Sequence, residues 1–278
     1  MKDAISGSAT SDDGRLRRLR AELRRLSDVV VAFSGGADSA LLAWVAHDTL
    51  GPDHARAVTA VSPSLAPEEL DDCTALAREW GLAWQMVATD ELANPAYTAN
   101  DGQRCYHCKV ALMDAIEVIG HDDDETVVLG VNLDDLGDHR PGQHAAQERG
   151  ARFPFVDAGL TKADVRDVSR LLGLRTWDKP AAACLASRLP YGTPVTLPVL
   201  TEVARAESGL RRLGFTALRV RHYGDLARLE VPLGELGAVL DRREEVVTAV
   251  RTAGYRYVTL DLEGLRSGNL NQGLEATP

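Results

Sequence analysis

The sequence predicts an α/β protein built on a doubly wound parallel sheet, followed by a smaller α+β domain. Short apolar runs at Val29 to Phe33, Ala57 to Val61, Ala83 to Val87 and Thr126 to Val131 alternate with stretches of helical periodicity. Such alternation implies a parallel sheet covered by helices on both faces. A small-residue loop, Ser34-Gly35-Gly36, separates the first run from its helix. Beyond the Pro-rich stretch Pro190 to Pro198 the period changes. Leu218, Val220 and Leu229, Val231 alternate around a Tyr223-Gly224-Asp225 turn, the pattern of a hairpin.

The elements follow in order. Residues 1–14 read as a flexible polar tail. Leu16, Leu19, Leu23 and Leu26 then recur at helical spacing with arginines between them, an amphipathic helix with a solvated basic face. Helices are expected over Asp38 to Thr49, Pro67 to Trp80 and Val110 to Ile119. Thr161 suits the N-cap of a helix through Leu172, with Gly173 as its stop. Helices from Leu200 to Leu213 and Glu235 to Arg251 and a strand from Tyr257 to Leu262 complete the chain. The expected division is 15–179 for the first domain and 180–278 for the second, with Cys184 at the junction.

Of the 278 residues, 45% are hydrophobic and 26% charged, the profile of a soluble globular protein. A formal net charge of −10 argues against a nucleic-acid partner, because phosphate backbones are held by clustered Lys and Arg. Small-molecule substrates are favoured. No apolar run reaches the roughly 20 residues of a membrane span, and the first residues lack a secretory core. A cytoplasmic protein is expected, in which Cys73, Cys105, Cys108 and Cys184 remain thiols. Metal binding or catalysis then fits them better than a disulfide framework.

Ser34-Gly35-Gly36-Ala37-Asp38-Ser39 lies where backbone N–H groups and the dipole of the following helix converge on an anion. It is not a Walker A loop, for it lacks the Gly-Lys-Ser/Thr ending. An ordinary Gly-rich turn is the bland reading, and the position directly after an apolar strand weighs against it. The form SGGxDS resembles the PP-loop of ATP pyrophosphatases, which cleave ATP between the α and β phosphates. That likeness implies ATP as cosubstrate and Mg2+ held with the help of Asp38, while Ser34 and Ser39 add hydroxyl donors. Gly130-Val131-Asn132-Leu133-Asp134-Asp135 ends another strand at the same sheet edge, where open α/β folds bind ligands. Gly130, Asn132 and Asp135 are therefore candidate nucleotide or metal contacts, against the plainer reading of a polar loop.

Cys105 and Cys108 form a CxxC, which by itself suits redox, zinc or iron–sulfur chemistry. Taken in order, SGGxDS, RCYHCK, GVNLDDLGDHRPG, KPAAACLASRLPYG and RVRHYGDLARLEV resemble the LarE family of ATP-dependent sulfur transferases, over nearly the whole span from Leu16 to Leu262. The resemblance implies adenylation of a carboxylate of pyridinium-3,5-biscarboxylic acid mononucleotide, then conversion to a thiocarboxylate for a nickel-pincer cofactor of lactate racemase. In members with a lone cysteine matching Cys184, that residue gives up its own sulfur. In members with cysteines matching Cys105, Cys108 and Cys184, the three thiolates hold a 4Fe-4S cluster. All three are present here, so the cluster version is favoured over sacrificial use of Cys184.

A zinc site completed by His107, His139 or His144 is the next alternative. Ser187 and Arg188 follow Cys184, and Arg188 suits phosphate or pyrophosphate because a guanidinium pairs with such oxygens. Arg219 and Arg221 resemble substrate-phosphate contacts, and Glu207 is a candidate metal ligand or catalytic acid. Cys73 matches no motif and reads as a packed thiol. A homo-oligomer and a transient sulfur donor are the partners expected beside the small substrate. The rival enzymes are a tRNA thiolase, which the acidic balance disfavours, and a GMP- or NAD-type synthetase, which the lack of a glutaminase domain disfavours. A nucleotide- or metal-binding sensor without catalysis is the rival of another class, and the intact motifs argue against it.

Overall fold

The computed structural model describes residues 13–119, 125–137, 141–180 and 183–266. In chain order the elements are α1 (Gly14–Leu26), β1 (Val29–Ala32), α2 (Ala37–Leu50), β2 (Ala55–Val61), α3 (Pro67–Trp80), β3 (Ala83–Ala88), α4 (Pro95–Thr98), α5 (Arg104–Val118), β4 (Thr126–Val128), α6 (Pro141–Glu148), α7 (Pro154–Asp157) and α8 (Lys162–Leu171). They continue with α9 (Leu197–Arg212), β5 (Arg219–Tyr223), β6 (Leu226–Glu230), α10 (Leu236–Asp241), α11 (Arg243–Ala253) and β7 (Tyr257–Leu260).

The chain divides into two compact units. The first holds Met1–Ser62, Glu69–Thr89 and Cys105–Ala182, and the second holds Pro63–Glu68, Asp90–Arg104 and Ala183–Pro278. Two short segments ahead of the expected 179/180 division thus group with the second unit. The expected tail is also shortened at its inner end. Asp13 caps α1 by accepting from the N–H groups of Arg15 and Leu16, so Asp13 and Gly14 belong to the helix start.

The first unit is the α/β fold that the alternation predicts. Its sheet has the order β3-β2-β1-β4, every pairing parallel, with Val29 of β1 opposite Ala55 and Thr126. Successive side chains of a strand point to opposite faces. Accordingly Val29, Val31 and Phe33 enter one apolar core with α1, α2 and α8, while Val30 enters another with Leu112, Met113 and Ile116 of α5. Both faces are thus dry, which is why these strands read as continuous apolar runs.

The second unit packs α9 and α11 on a three-stranded sheet, order β5-β6-β7, through Leu210, Val220, Leu229, Val246 and Val250. β5 and β6 form the expected antiparallel hairpin, and β7 lies parallel to β6. The expected helix over 235–251 is two helices, because Arg242 leaves helical geometry at φ −106°, ψ 23°. α5 also begins earlier than its apolar period suggested, at Arg104 rather than Val110. Cys105 and Cys108 therefore lie within the helix, not in a loop ahead of it. Arg-Cys-Tyr-His-Cys-Lys carries too few apolar residues to show a period.

Candidate active site

In the first unit, β1 is flanked by β2, reached through α2, on one side and by β4 on the other, so the loops after β1 and β4 face a topological switch point, where open α/β sheets bind ligands. The loop after β1 is shaped by Gly35 at φ +69°, a conformation that a side chain would strain. A Cβ there would also lie 2.9 Å from the Cys73 sulfur. Ser39 Oγ ties the loop together: it accepts from the Ser34 N–H at 3.2 Å, lies 3.0 Å from Ser34 Oγ and donates to Gly36 O at 3.2 Å. Ala40 donates its N–H to Gly36 O at 2.9 Å, so the N–H groups ahead of it stand at the helix start without intrahelical acceptors. Together they form a seat for an anion.

The loop after β4 closes on this seat. A Cβ on Gly130 would meet the backbone of Asp38 and Ser39 at 2.9 Å, so only glycine allows the approach. Buried Asn132 donates from Nδ2 to Asp38 Oδ1 at 3.3 Å, and its own N–H is held by Asp135 Oδ2 at 3.1 Å. Asp135 therefore shapes the loop. Two lysines that sequence reasoning missed complete the arrangement. Lys162 pairs with Asp38 through its ammonium, and its N–H donates to Asp134 Oδ2 at 2.6 Å. Lys179 donates to Gly35 O at 3.2 Å, to Glu69 at 2.8 Å and to Asp72 at 2.7 Å. A signal for Lys162 existed: a cation at the first position of a helix opposes the dipole, which points to another task. Asp38 offers beside the anion seat the hard carboxylate oxygen that Mg2+ takes, and Lys162 pairs with it in this structure.

On α5, Cys105 is exposed and Cys108 half-buried, and their spacing puts both thiols on neighbouring positions of one helix face. Lys109 beside them is half-buried, and burial drives its ammonium below the usual lysine range. Among the described residues, no three His, Cys, Asp or Glu side chains converge as a metal site. His144 faces Glu148 at 3.4 Å and His107 packs edge-on against Tyr106, while His139 lies outside the described residues. Cys73 is buried under the loop as a packed thiol, and burial pushes it up to about 11.

In the second unit, Cys184 is half-buried at the N-cap of a 3-10 turn over Leu185–Arg188. Its segment is clamped by residues far away in sequence. Leu185 donates its N–H to Ser64 O at 2.8 Å. Asn100, buried at φ +56°, donates to Pro190 O and Thr193 O at 2.8 Å each and accepts from Arg104, which also bonds Ala186 O at 3.0 Å. A buried non-glycine residue at positive φ stores strain that the clamp must offset. Nothing in the local sequence announced it.

Arg188, expected on phosphate, is engaged by protein groups in this structure. Its Nε and Nη2 pair with Glu207 at 2.8 and 3.1 Å, and Nη1 donates to Ala183 O at 2.6 Å, Cys184 O at 3.2 Å and Ser187 Oγ at 3.1 Å. Glu207, the expected metal ligand or catalytic acid, is its partner. It is fully buried, and its oxygens accept from Arg188, from Arg211 at 3.1 Å and from the Val220 N–H at 3.0 Å. The pair holds the Cys184 turn in place.

Arg221 is buried against Glu230 at 2.8 Å and donates to Ser187 O at 2.7 Å. Half-buried Arg219 donates to a carbonyl, Arg266 O at 3.2 Å. Its pKa is lowered by burial, then by Arg221 and Arg188 nearby. A guanidinium so placed favours an arriving anion.

A parallel sheet with a glycine loop of this form at the switch point defines a nucleotide-binding unit of the PP-loop class. A family model described as NAD synthase matches residues 17–105. An uncharacterised protein of Synechocystis is 47% identical over 268 residues, covering 94% of this chain and 98% of that protein. The pyridinium-3,5-bisthiocarboxylic acid mononucleotide synthase of Lactiplantibacillus plantarum is 39% identical over 257 residues, 92% of this chain and 93% of that protein. An uncharacterised protein of Methanocaldococcus jannaschii is 26% identical over 243 residues. The chain belongs to the LarE family. No helix among the described residues is long and apolar enough to cross a membrane.

Proposed function

We propose that this protein is an ATP-dependent sulfur transferase that activates a carboxylate of pyridinium-3,5-biscarboxylic acid mononucleotide and converts it to a thiocarboxylate. The observation that carries this reading is the amide-lined loop over Ser34 to Ser39, in a chain that belongs to the LarE family. A carboxylate oxygen is a poor leaving group, whereas AMP departs readily from an acyl-adenylate. The open N–H groups at the start of α2 receive the phosphates, Asp38 with Asn132 holds the magnesium side, and pyrophosphate leaves there.

Cys184 serves the sulfur step. Ser187 and Arg188 fix the backbone of its turn, and Arg219 with Arg221 takes the substrate phosphate. Cys105, Cys108 and Cys184 have the donor chemistry that would hold a 4Fe-4S cluster. When bound, that cluster supplies the transferable sulfide. The second reading is sacrifice of Cys184 itself.

Anaerobic purification with iron and acid-labile sulfide analysis separates the two. About four irons per chain, lost in Cys105→Ala and Cys184→Ala, supports the cluster. No iron, with Cys184 lighter by one hydrogen sulfide after turnover, establishes sacrifice.

A further inference from the structure

Lys179 resembles a phosphate-binding lysine by position but not by its bonds. An ammonium has three protons. Those of Lys179 are all engaged, by Glu69 Oε2 at 2.8 Å, Asp72 Oδ2 at 2.7 Å and the Gly35 carbonyl at 3.2 Å. Burial works against its charge, but the two carboxylates outweigh it and raise the pKa. The group stays a cation and has no proton left for a phosphate.

What it grips is the decisive peptide of the loop. In a planar trans peptide the C=O and the following N–H point in opposite directions. Holding the Gly35 carbonyl toward Lys179 therefore turns the Gly36 N–H away from it, as a donor to the anion seat. A flip of the Gly35–Gly36 peptide turns ψ of Gly35 and φ of Gly36, which lies at −73°, and glycine crosses between signs of φ at little cost. The freedom that lets this loop form also lets its peptide flip, which would aim a carbonyl oxygen at the phosphate.

We propose that Lys179, seated on Glu69 and Asp72 of α3, is a positioning residue that locks the Gly35–Gly36 peptide in its anion-binding orientation. The proposal rests on the ATP-using reading above. Its test is calorimetric titration of the full chain with magnesium and α,β-methylene-ATP. Lys179→Met is expected to bind at least tenfold more weakly than wild type, and Lys179→Arg to recover most of the loss. Arg175→Ala, which removes the other cation on Asp72, at 2.7 Å, is expected to stay within twofold. A folded Lys179→Met that binds like wild type overturns the proposal, as does an Arg175→Ala that loses as much. Should Lys179→Met fail to fold, Glu69→Gln loosens the same seat: severalfold weaker binding supports the lock, and unchanged binding overturns it. A wild type that does not bind the analogue overturns the ATP reading itself, and the lock with it.

Discussion

The two units shape their candidate site regions by different means. In the first, the loop over Ser34 to Ser39 is built from backbone: open N–H groups, a glycine at positive φ, and hydroxyls that brace it. In the second, the turn bearing Cys184 is built from side-chain ion pairs, with Arg188 and Arg211 on Glu207 and Arg221 and Arg228 on Glu230. Buried ion pairs gain little over apolar packing but cost much when one partner is removed. Backbone seats instead fail when a side chain intrudes. Substitutions in the first region should therefore spoil binding, and those in the second should spoil folding.

The largest effect is expected at Glu207. Glu207→Ala strands two guanidinium groups and the Val220 N–H, and a loss of about 3–5 kcal/mol is expected from urea unfolding of the purified protein. Asp38→Asn makes the contrast: its ion pair with Lys162 is partly exposed, so stability should fall by less than about 1 kcal/mol while nucleotide turnover is lost. Equal destabilisation by the two would remove the distinction between the regions.

Gly130→Ala comes next. Its Cβ would strike backbone on the far side of the loop at 2.9 Å, where nothing flexible can yield. About 1–3 kcal/mol of strain is expected, together with loss of ATP-analogue binding by titration.

Cys73 sharpens the picture from below the loop. Burial holds its pKa near 11 against 9.0 when free. The unfolded chain then releases its proton first, so stability is intact below pH 9 and falls as pH rises toward 11, by on the order of 2 kcal/mol. Cys73→Ala should lack that slope in pH-dependent denaturation. Thiol labelling at pH 8 should modify exposed Cys105 first and Cys73 last.

The smallest effect concerns the cap of α1. Hydrogen bonding from Arg15 holds the Asp13 carboxyl near 2. Its stabilisation is present above about pH 4 and is lost as pH falls toward 2. Asp13→Ala should cost about 1 kcal/mol at neutral pH, measured by thermal melting.

The same difference decides what the sequence revealed. Apolar runs at Val29, Ala57 and Ala83 gave the sheet, and SGGxDS gave the loop, because a backbone site needs particular residues at consecutive positions. Lys162 and Lys179 meet the loop from more than a hundred residues away, a proximity no local pattern encodes. Arg188 was legible as important, yet its partner Glu207 lies on α9, a pairing that no local pattern encodes. Asn100 was invisible because its left-handed backbone is imposed by Pro190, Thr193 and Arg104, not by its neighbours.

The division of labour is tested most directly by measuring pyrophosphate and thiocarboxylate in the same anaerobic reaction with ATP, magnesium and pyridinium-3,5-biscarboxylic acid mononucleotide. Wild type should form both, Asp38→Asn neither, and Cys184→Ala pyrophosphate without thiocarboxylate. Thiocarboxylate from Cys184→Ala, or a wild type that releases no pyrophosphate, would contradict the account.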